Sequence, residues 1–196
     1  AVVLFPLFSS AYQSDRQNLS ATFINSQHAM LVIVAPLVAW GVAGSPTIIQ
    51  LLFGSDYSSS ATPLQIMTLS LPAIFLTYPL LALLNGCNRQ QTAVRHLAFA
   101  LTSHVMLSVW LIPRFGVVGA AIASTLSTMV LTASCSYSAS RLLTSYSRGF
   151  GNRVLRVSVA TVPMLVVLLL AHGRTNFAIA MLLSGLWHGA SWTFIL

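Results

Sequence analysis

A histidine in the middle of a long apolar stretch is the first residue whose side chain could do chemistry. His104 lies within the apolar residues 97–112, and Ser108 follows it four residues later. On a helix this spacing places both side chains on one face. Two interpretations stay open: the imidazole hydrogen-bonds a neighbouring carbonyl inside the protein, or it makes a polar contact that lines a cavity. Proton coupling through His104 is a further hypothesis.

The stretch that must position this pair runs from His104 to Ala123 and reads HVMLSVWLIPRFGVVGAAIA. Pro113 ends the first apolar segment, and Gly116 lets the backbone turn back within a few residues. Both flanking segments are too apolar and too long to face water. The sequence therefore predicts an antiparallel helical hairpin embedded in lipid, with Arg114 as the charge at its corner.

Charged residues are scarce along the whole chain. Of 196 residues, 56% are apolar and 6% are charged, whereas an ordinary soluble domain is about 25% charged. The sequence therefore predicts an all-α, polytopic membrane protein. Since each crossing takes about 20 residues, there is room for about six to seven spans. The net charge of +7 does not indicate nucleic-acid binding, because the basic residues are scattered among short connectors instead of lining one wet face.

Apolar segments separated by polar connectors give the predicted order of the spans. The first, AVVLFPLF, has half the length of a crossing, and the last stops inside an apolar run, so we expect both ends to be truncated. The polar residues 9–27 are predicted to form a short interfacial helix. The other predicted spans are residues 29–53, 64–84, 97–112, 117–139, 154–171 and 177–196.

Prolines and hydroxyl side chains indicate which spans face protein. Pro36 and Pro46 interrupt span 29–53 and free carbonyl groups that a neighbour or water must satisfy. Small residues at the start of span 117–139 allow helix backbones to approach closely. The same span is rich in hydroxyl groups, so we expect that it does not face lipid all round. These residues are Thr125, Ser127, Thr128, Thr132, Ser134, Ser136 and Ser138.

The arginines predict the orientation of the chain in the membrane. All nine basic residues are Arg, and they lie in the connectors. When the connectors are numbered along the chain, the odd ones hold seven Arg and the even ones hold only Arg114 and Arg174. By the positive-inside rule the odd connectors, which include Arg89 and Arg95, face the cytoplasm.

Several ordered segments together resemble a known family of transporters. LFPLFSSAYQSDRQ, LLFGSDYSSSATPLQIMTLSLP, LLNGCNRQQ and LIPRFGVVGAAIAST are similar to the polysaccharide flippases, the Wzx-like members of the multidrug/oligosaccharidyl-lipid/polysaccharide exporter superfamily. The resemblance covers residues 1 to about 145 and implies five of the six helices of one bundle, for which we favour the second. It implies transport of a lipid-linked oligosaccharide across the bacterial plasma (inner) membrane. The partners it implies are the missing half of the transporter or other polysaccharide-assembly proteins.

The same resemblance suggests substrate-binding residues. A lipid-linked sugar carries a pyrophosphate, whose charge must be balanced in the membrane interior. Arg89 and Arg95 are the candidates, with positive-inside anchoring as the alternative. In the family the helix before LIP often carries two Asn one turn apart. His104 and Ser108 occupy those positions, which makes them candidate cavity contacts.

The C-terminal segment resembles a different family. RTNFAIAMLLSGLWHGASWTFIL, residues 174–196, is similar to the signature of membrane-bound O-acyltransferases. The resemblance implies His188, flanked by Trp187 and Gly189, as a catalytic histidine that acts as general base on a hydroxyl attacking an acyl thioester. An interfacial aromatic belt with a pore-facing histidine is the alternative. Residues 146–173 would form a basic connector and an additional span between the two parts.

Of these hypotheses, a flippase-like fragment with an appended acyltransferase helix is favoured, and neither part is expected to turn over alone. A drug or cation exporter is disfavoured because Asp15 and Asp56, the two acidic residues, lie in predicted connectors. Cys87 and Cys135 lack metal or redox spacing and are interpreted as structural, with a reactive thiol as the alternative. The sequence predicts neither a metal site nor a cofactor.

Overall fold

The computed structural model describes residues 4–14, 16–143 and 151 of the chain. Over these residues the secondary structure is helical, with no strand. The helices are α1 (Leu4–Ser14), α2 (Arg16–Phe53), α3 (Ala61–Thr68), α4 (Leu71–Gly86) and α5 (Gln90–Leu142), and a 3₁₀ helix, Ser55–Ser60, precedes α3. The predicted spans 154–171 and 177–196 lie outside the described residues.

Among the described residues, three helical stretches are long and apolar enough to cross a membrane: Asn18–Phe53, Ser55–Gly86 and Gln90–Leu142. The last has 53 residues, which as a straight helix would measure about 80 Å against a hydrocarbon core of about 30 Å. It therefore has to reverse. With that reversal the described residues cross the membrane four times, and the predicted all-α polytopic bundle is confirmed.

The reversal of α5 occurs at the predicted corner. Gly116 has φ 55° and ψ −132°, which separates a first arm, residues 90–115, from a second arm, residues 117–142. Just beyond the turn the backbone of Gly119 packs on the carbonyl of Leu111, so closely that a Cβ there would collide with it. Farther along, His104 bonds to Ser127. These contacts confirm the antiparallel hairpin.

The polar residues 9–27 do not form a separate interfacial helix, and that prediction is wrong. They form the end of α1 and the beginning of α2, which is a 38-residue helix. Phe8 and Phe23 are fully buried and pack edge to face with ring centroids 5.8 Å apart. The segment is polar on average, but its apolar side chains share a face, and burial of that face decides its position.

The predicted span 64–84 is interrupted near its beginning. Helix α3 ends at Thr68, and α4 begins at Leu71. At the break the backbone N–H of Leu69 is shared between two carbonyls, and Ser70 N–H donates to the carbonyl of Met67 at 3.0 Å. Pro72 has no N–H to continue the α-helical pattern, which accounts for the interruption.

The main apolar core lies where α4 ends and α5 begins. It is built from the ends of four helices and contains both cysteines, which are buried and form no disulfide with each other. This placement agrees with the structural interpretation of the two thiols. Its largest buried members are Phe8, Phe23, Leu19, Leu80, Leu83 and Leu84, with Cys87 and Cys135 beside them.

We predict that Gly119→Ala destabilises the hairpin by about 1–3 kcal/mol, because the added Cβ has no room against the Leu111 backbone. Unfolding in detergent micelles, followed by circular dichroism, measures the effect. Gly44→Ala is the matched control, since a Cβ there would meet Trp40 at an ordinary 3.4 Å. Equal stability of Gly119→Ala and the wild type would contradict the described packing of the corner.

Candidate functional site

The second arm of α5 makes hydrogen bonds to the broken helix α3–α4. Thr125 Oγ1 donates to the carbonyl of Ile66 at 3.1 Å, and Thr132 Oγ1 donates to the carbonyl of Ala73 at 3.0 Å. The hydroxyls of Thr132 and Thr77 are 2.8 Å apart. Thr125 and Thr132 thus bond to the broken helix on either side of its interruption. The second arm therefore runs parallel to α3–α4.

The same arm is bonded to the first arm on another side. His104 Nδ1 lies 3.1 Å from Ser127 Oγ, and His96 Nε2 lies 2.7 Å from Ser138 Oγ. The second arm therefore sits between two partners and uses its hydroxyl groups toward both. The expectation that this span does not face lipid all round is confirmed. We call the hydroxyl groups of Thr125, Ser127, Thr132 and Ser138, with their partners, the polar seam.

A third contact satisfies a carbonyl freed by proline. Pro46 has no N–H to bond the carbonyl of Val42 four residues earlier. Gln65 on α3 supplies the missing donor, with its Nε2 3.0 Å from that oxygen. The predicted need for a neighbouring group at this proline is confirmed. The identity of the donor could not be predicted, because Gln65 is distant in the sequence.

The predicted site residues fall into two groups. Arg89, immediately before α5, and Arg95, in its second turn, are exposed. His104 and Ser108 are half-buried farther along the same arm. Nine residues of helix turn through about 900°, so Arg95 and His104 point in roughly opposite directions. The structure therefore does not bring the four side chains to one point, and their functional roles remain predictions.

The charges of the described residues separate to the two ends of the bundle. Arg89, Arg95 and Arg141 lie toward the end where α4 passes into α5. Arg114 lies at the opposite end, where its guanidinium stacks 4.6 Å above the Trp110 ring. The first arm has about 26 residues, so Arg89 and Arg114 are separated by roughly the thickness of a membrane.

Sequence reasoning missed two residues of the interior. His96 belongs to the polar seam, and its spacing of eight residues from His104, about two helical turns, was the available signal. Gln27 on α2 is fully buried, and neither amide atom has a partner among the described residues. No pattern in the sequence singles it out. In the part of the chain that the structure describes, no cluster of His, Cys, Asp or Glu could hold a metal ion.

These features define a multi-pass helical membrane protein in which hydroxyl and amide side chains join the crossing helices by hydrogen bonds. The model of the family "Lipid II flippase MurJ" matches residues 1–187. The chain therefore belongs to the MurJ family. This confirms the expected exporter superfamily, of which MurJ flippases are members, but gives no support to its Wzx-like branch.

Two relatives describe the extent of the match. An uncharacterized membrane protein of Methanocaldococcus jannaschii is 32% identical over 127 residues, which is 61% of this chain and 24% of that protein. A solved structure of lipid II flippase MurJ in an inward closed conformation superimposes with a TM-score of 0.80 at 16% identity, over 98% of this chain and 43% of that one. The chain thus spans about a quarter of the first and less than half of the second.

The comparisons do not support the acyltransferase interpretation of residues 174–196. The MurJ family match continues through residue 187 and so includes most of that segment. The match includes Gly185, Leu186 and Trp187 and ends one residue before His188. His188 lies outside the described residues.

We predict that Gln65→Leu lowers stability by about 1–3 kcal/mol, because it leaves the partly buried Val42 carbonyl without a donor. Adding Pro46→Ala should recover part of the loss, since the introduced alanine would supply a backbone N–H to that carbonyl. Unfolding of both single variants and the double variant in detergent gives the interaction energy between positions 46 and 65. Gln50→Leu, at an exposed position of α2, is the control. Strictly additive effects would contradict the assigned bond.

Proposed function

We propose that this chain forms part of a flippase that moves a lipid-linked saccharide pyrophosphate across the plasma membrane of a bacterium. Membership of the MurJ family supports the proposal. The structural observation that carries it is the exposed pair Arg89 and Arg95 at one end of a membrane-spanning bundle. Since the chain covers less than half of the matched structure, transport is proposed for the complete assembly and substrate contact for this part.

The chemistry of the substrate explains why arginine is suited to this position. A pyrophosphate that leaves water loses solvation, and this loss must be offset by paired cationic groups. Guanidinium groups donate two parallel hydrogen bonds to phosphate oxygens and stay charged at all relevant pH values. Among the described residues no ion pair occupies Arg89 or Arg95, so both can receive an anionic ligand.

The alternative role of these arginines is to hold the cytoplasmic end of the helices against lipid headgroups. Anchoring requires only charge near the membrane surface, whereas substrate binding requires a response to the pyrophosphate lipid itself. A comparison with Arg114 separates the two roles, because Arg114 is also exposed but lies at the opposite end of the same arm.

We predict that Arg89→Gln and Arg95→Gln each weaken binding of a polyprenyl pyrophosphate saccharide about tenfold, through loss of charge-assisted hydrogen bonds. Binding of the fluorescent lipid to the full chain in neutral nanodiscs is the measurement. Arg114→Gln is the matched control and should bind as the wild type does.

Equal affinity of all three variants and the wild type would leave anchoring as the role of Arg89 and Arg95. Two ligands test the nature of the saccharide: lipid II, and a lipid-linked oligosaccharide of the kind used in polysaccharide synthesis. We expect the chain to bind lipid II more tightly, because the family that it matches is described as a lipid II flippase. Preference for the oligosaccharide would favour the Wzx-like assignment.

A further inference from the structure

The two hydrogen bonds of Ser127 constrain the protonation of His104. Ser127 Oγ lies 2.9 Å from the carbonyl of Ser124 and 3.1 Å from His104 Nδ1. A serine hydroxyl has one hydrogen, and a carbonyl can only accept. When the hydroxyl donates to Ser124, its oxygen must accept from the imidazole. We infer that Ser127 is a positioning residue, which holds neutral His104 as the tautomer with its hydrogen on Nδ1.

A competing arrangement involves Thr128, whose Oγ1 is also 2.9 Å from the Ser124 carbonyl. If Thr128 alone bonded this oxygen, Ser127 would be free to donate to His104, and the imidazole hydrogen would move to Nε2. The first arrangement is favoured because the Ser124 carbonyl has two lone pairs and can accept from both hydroxyl groups, so Thr128 does not displace Ser127. The two arrangements predict opposite tautomers.

The consequence of the inferred tautomer is an unshared lone pair on Nε2. No described residue bonds this nitrogen, and the His104 side chain is half-buried. The lone pairs of the two ring nitrogens diverge, so Nε2 is directed away from Ser127. In His96, by contrast, Nε2 is the nitrogen that contacts serine. Of these two histidines of the polar seam, His104 is the one whose Nε2 bonds no described residue.

A hydrogen-bond acceptor at His104 Nε2 selects a class of ligand. Nε2 without a hydrogen pairs with hydroxyl or amide N–H groups and not with phosphate oxygens, which need donors. This step rests on the proposed function: Arg89 binds the pyrophosphate at the end of the arm, and His104 accepts a hydrogen bond from the saccharide. Ser108, one turn away on the same side, can accept or donate and so suits the same ligand.

The tautomer is tested by nitrogen NMR on the full chain, labelled with ¹⁵N-histidine, in liposomes at pH 8, where ordinary imidazoles are neutral. The His104→Gln spectrum identifies the His104 signals. We expect a protonated Nδ1 in the wild type and in Ser127→Thr, and a mixture of tautomers in Ser127→Ala. Protonated Nε2 in the wild type, or an unchanged spectrum for Ser127→Ala, would overturn the assignment.

The acceptor role is tested by binding two lipids, one polyprenyl pyrophosphate with its saccharide and one without. His104→Leu should weaken binding of the first about tenfold and leave the second unchanged, whereas Arg89→Gln should weaken both. Equal loss for both lipids, or no loss for either, would overturn the acceptor role while leaving the proposed function intact. If the wild type binds neither lipid, both the proposed function and the acceptor role fail, and the NMR result still decides the tautomer.

Discussion

The fold depends on one constraint, that carbonyl groups inside a bilayer must find donors within the protein. Prolines inside α2 and an interruption between α3 and α4 disturb the regular helical hydrogen bonding of this chain. At Pro46 the carbonyl of Val42 loses its helical donor, and Gln65 supplies another. The second arm of α5 donates hydroxyl groups to carbonyls of α3 and α4 on either side of the interruption and so joins these helices.

The same constraint explains the arrangement of apolar and charged side chains. The first arm of α5 leaves large apolar residues exposed along its length, including Leu97, Leu101 and Val105, as suits a helix that faces lipid on one side. Its exposed hydroxyls bond to their own helix, as Thr102 does to the carbonyl of Ala98. Among the described residues, Arg89, Arg95 and Arg141 lie toward one end of the bundle and Arg114 lies at the other, where headgroups and water can solvate them.

Local chemistry predicted part of this structure. Pro113 and Gly116 were sufficient to place the hairpin corner, and the proline spacing was sufficient to require an external donor for Val42. The donor itself, Gln65, lies 23 residues from Val42 in the chain. The threonines that bond to α3 and α4, Thr125 and Thr132, each lie 59 residues from their partners. Such pairings follow from packing and cannot be deduced from one sequence. The average polarity of residues 9–27 was misleading for the same reason, since the segment buries Leu19 and Phe23 in the core. The candidate site was predicted as four residues, but helical rotation separates Arg95 from His104.

The first arm of α5 crosses the bilayer between Arg89 and Arg114. This topology is tested by labelling Arg89→Cys and Arg114→Cys with a membrane-impermeant thiol reagent, in a background where Cys87 and Cys135 are replaced by alanine. We expect the reagent to reach the two positions from opposite sides of sealed vesicles. Labelling of both positions from one side would contradict it.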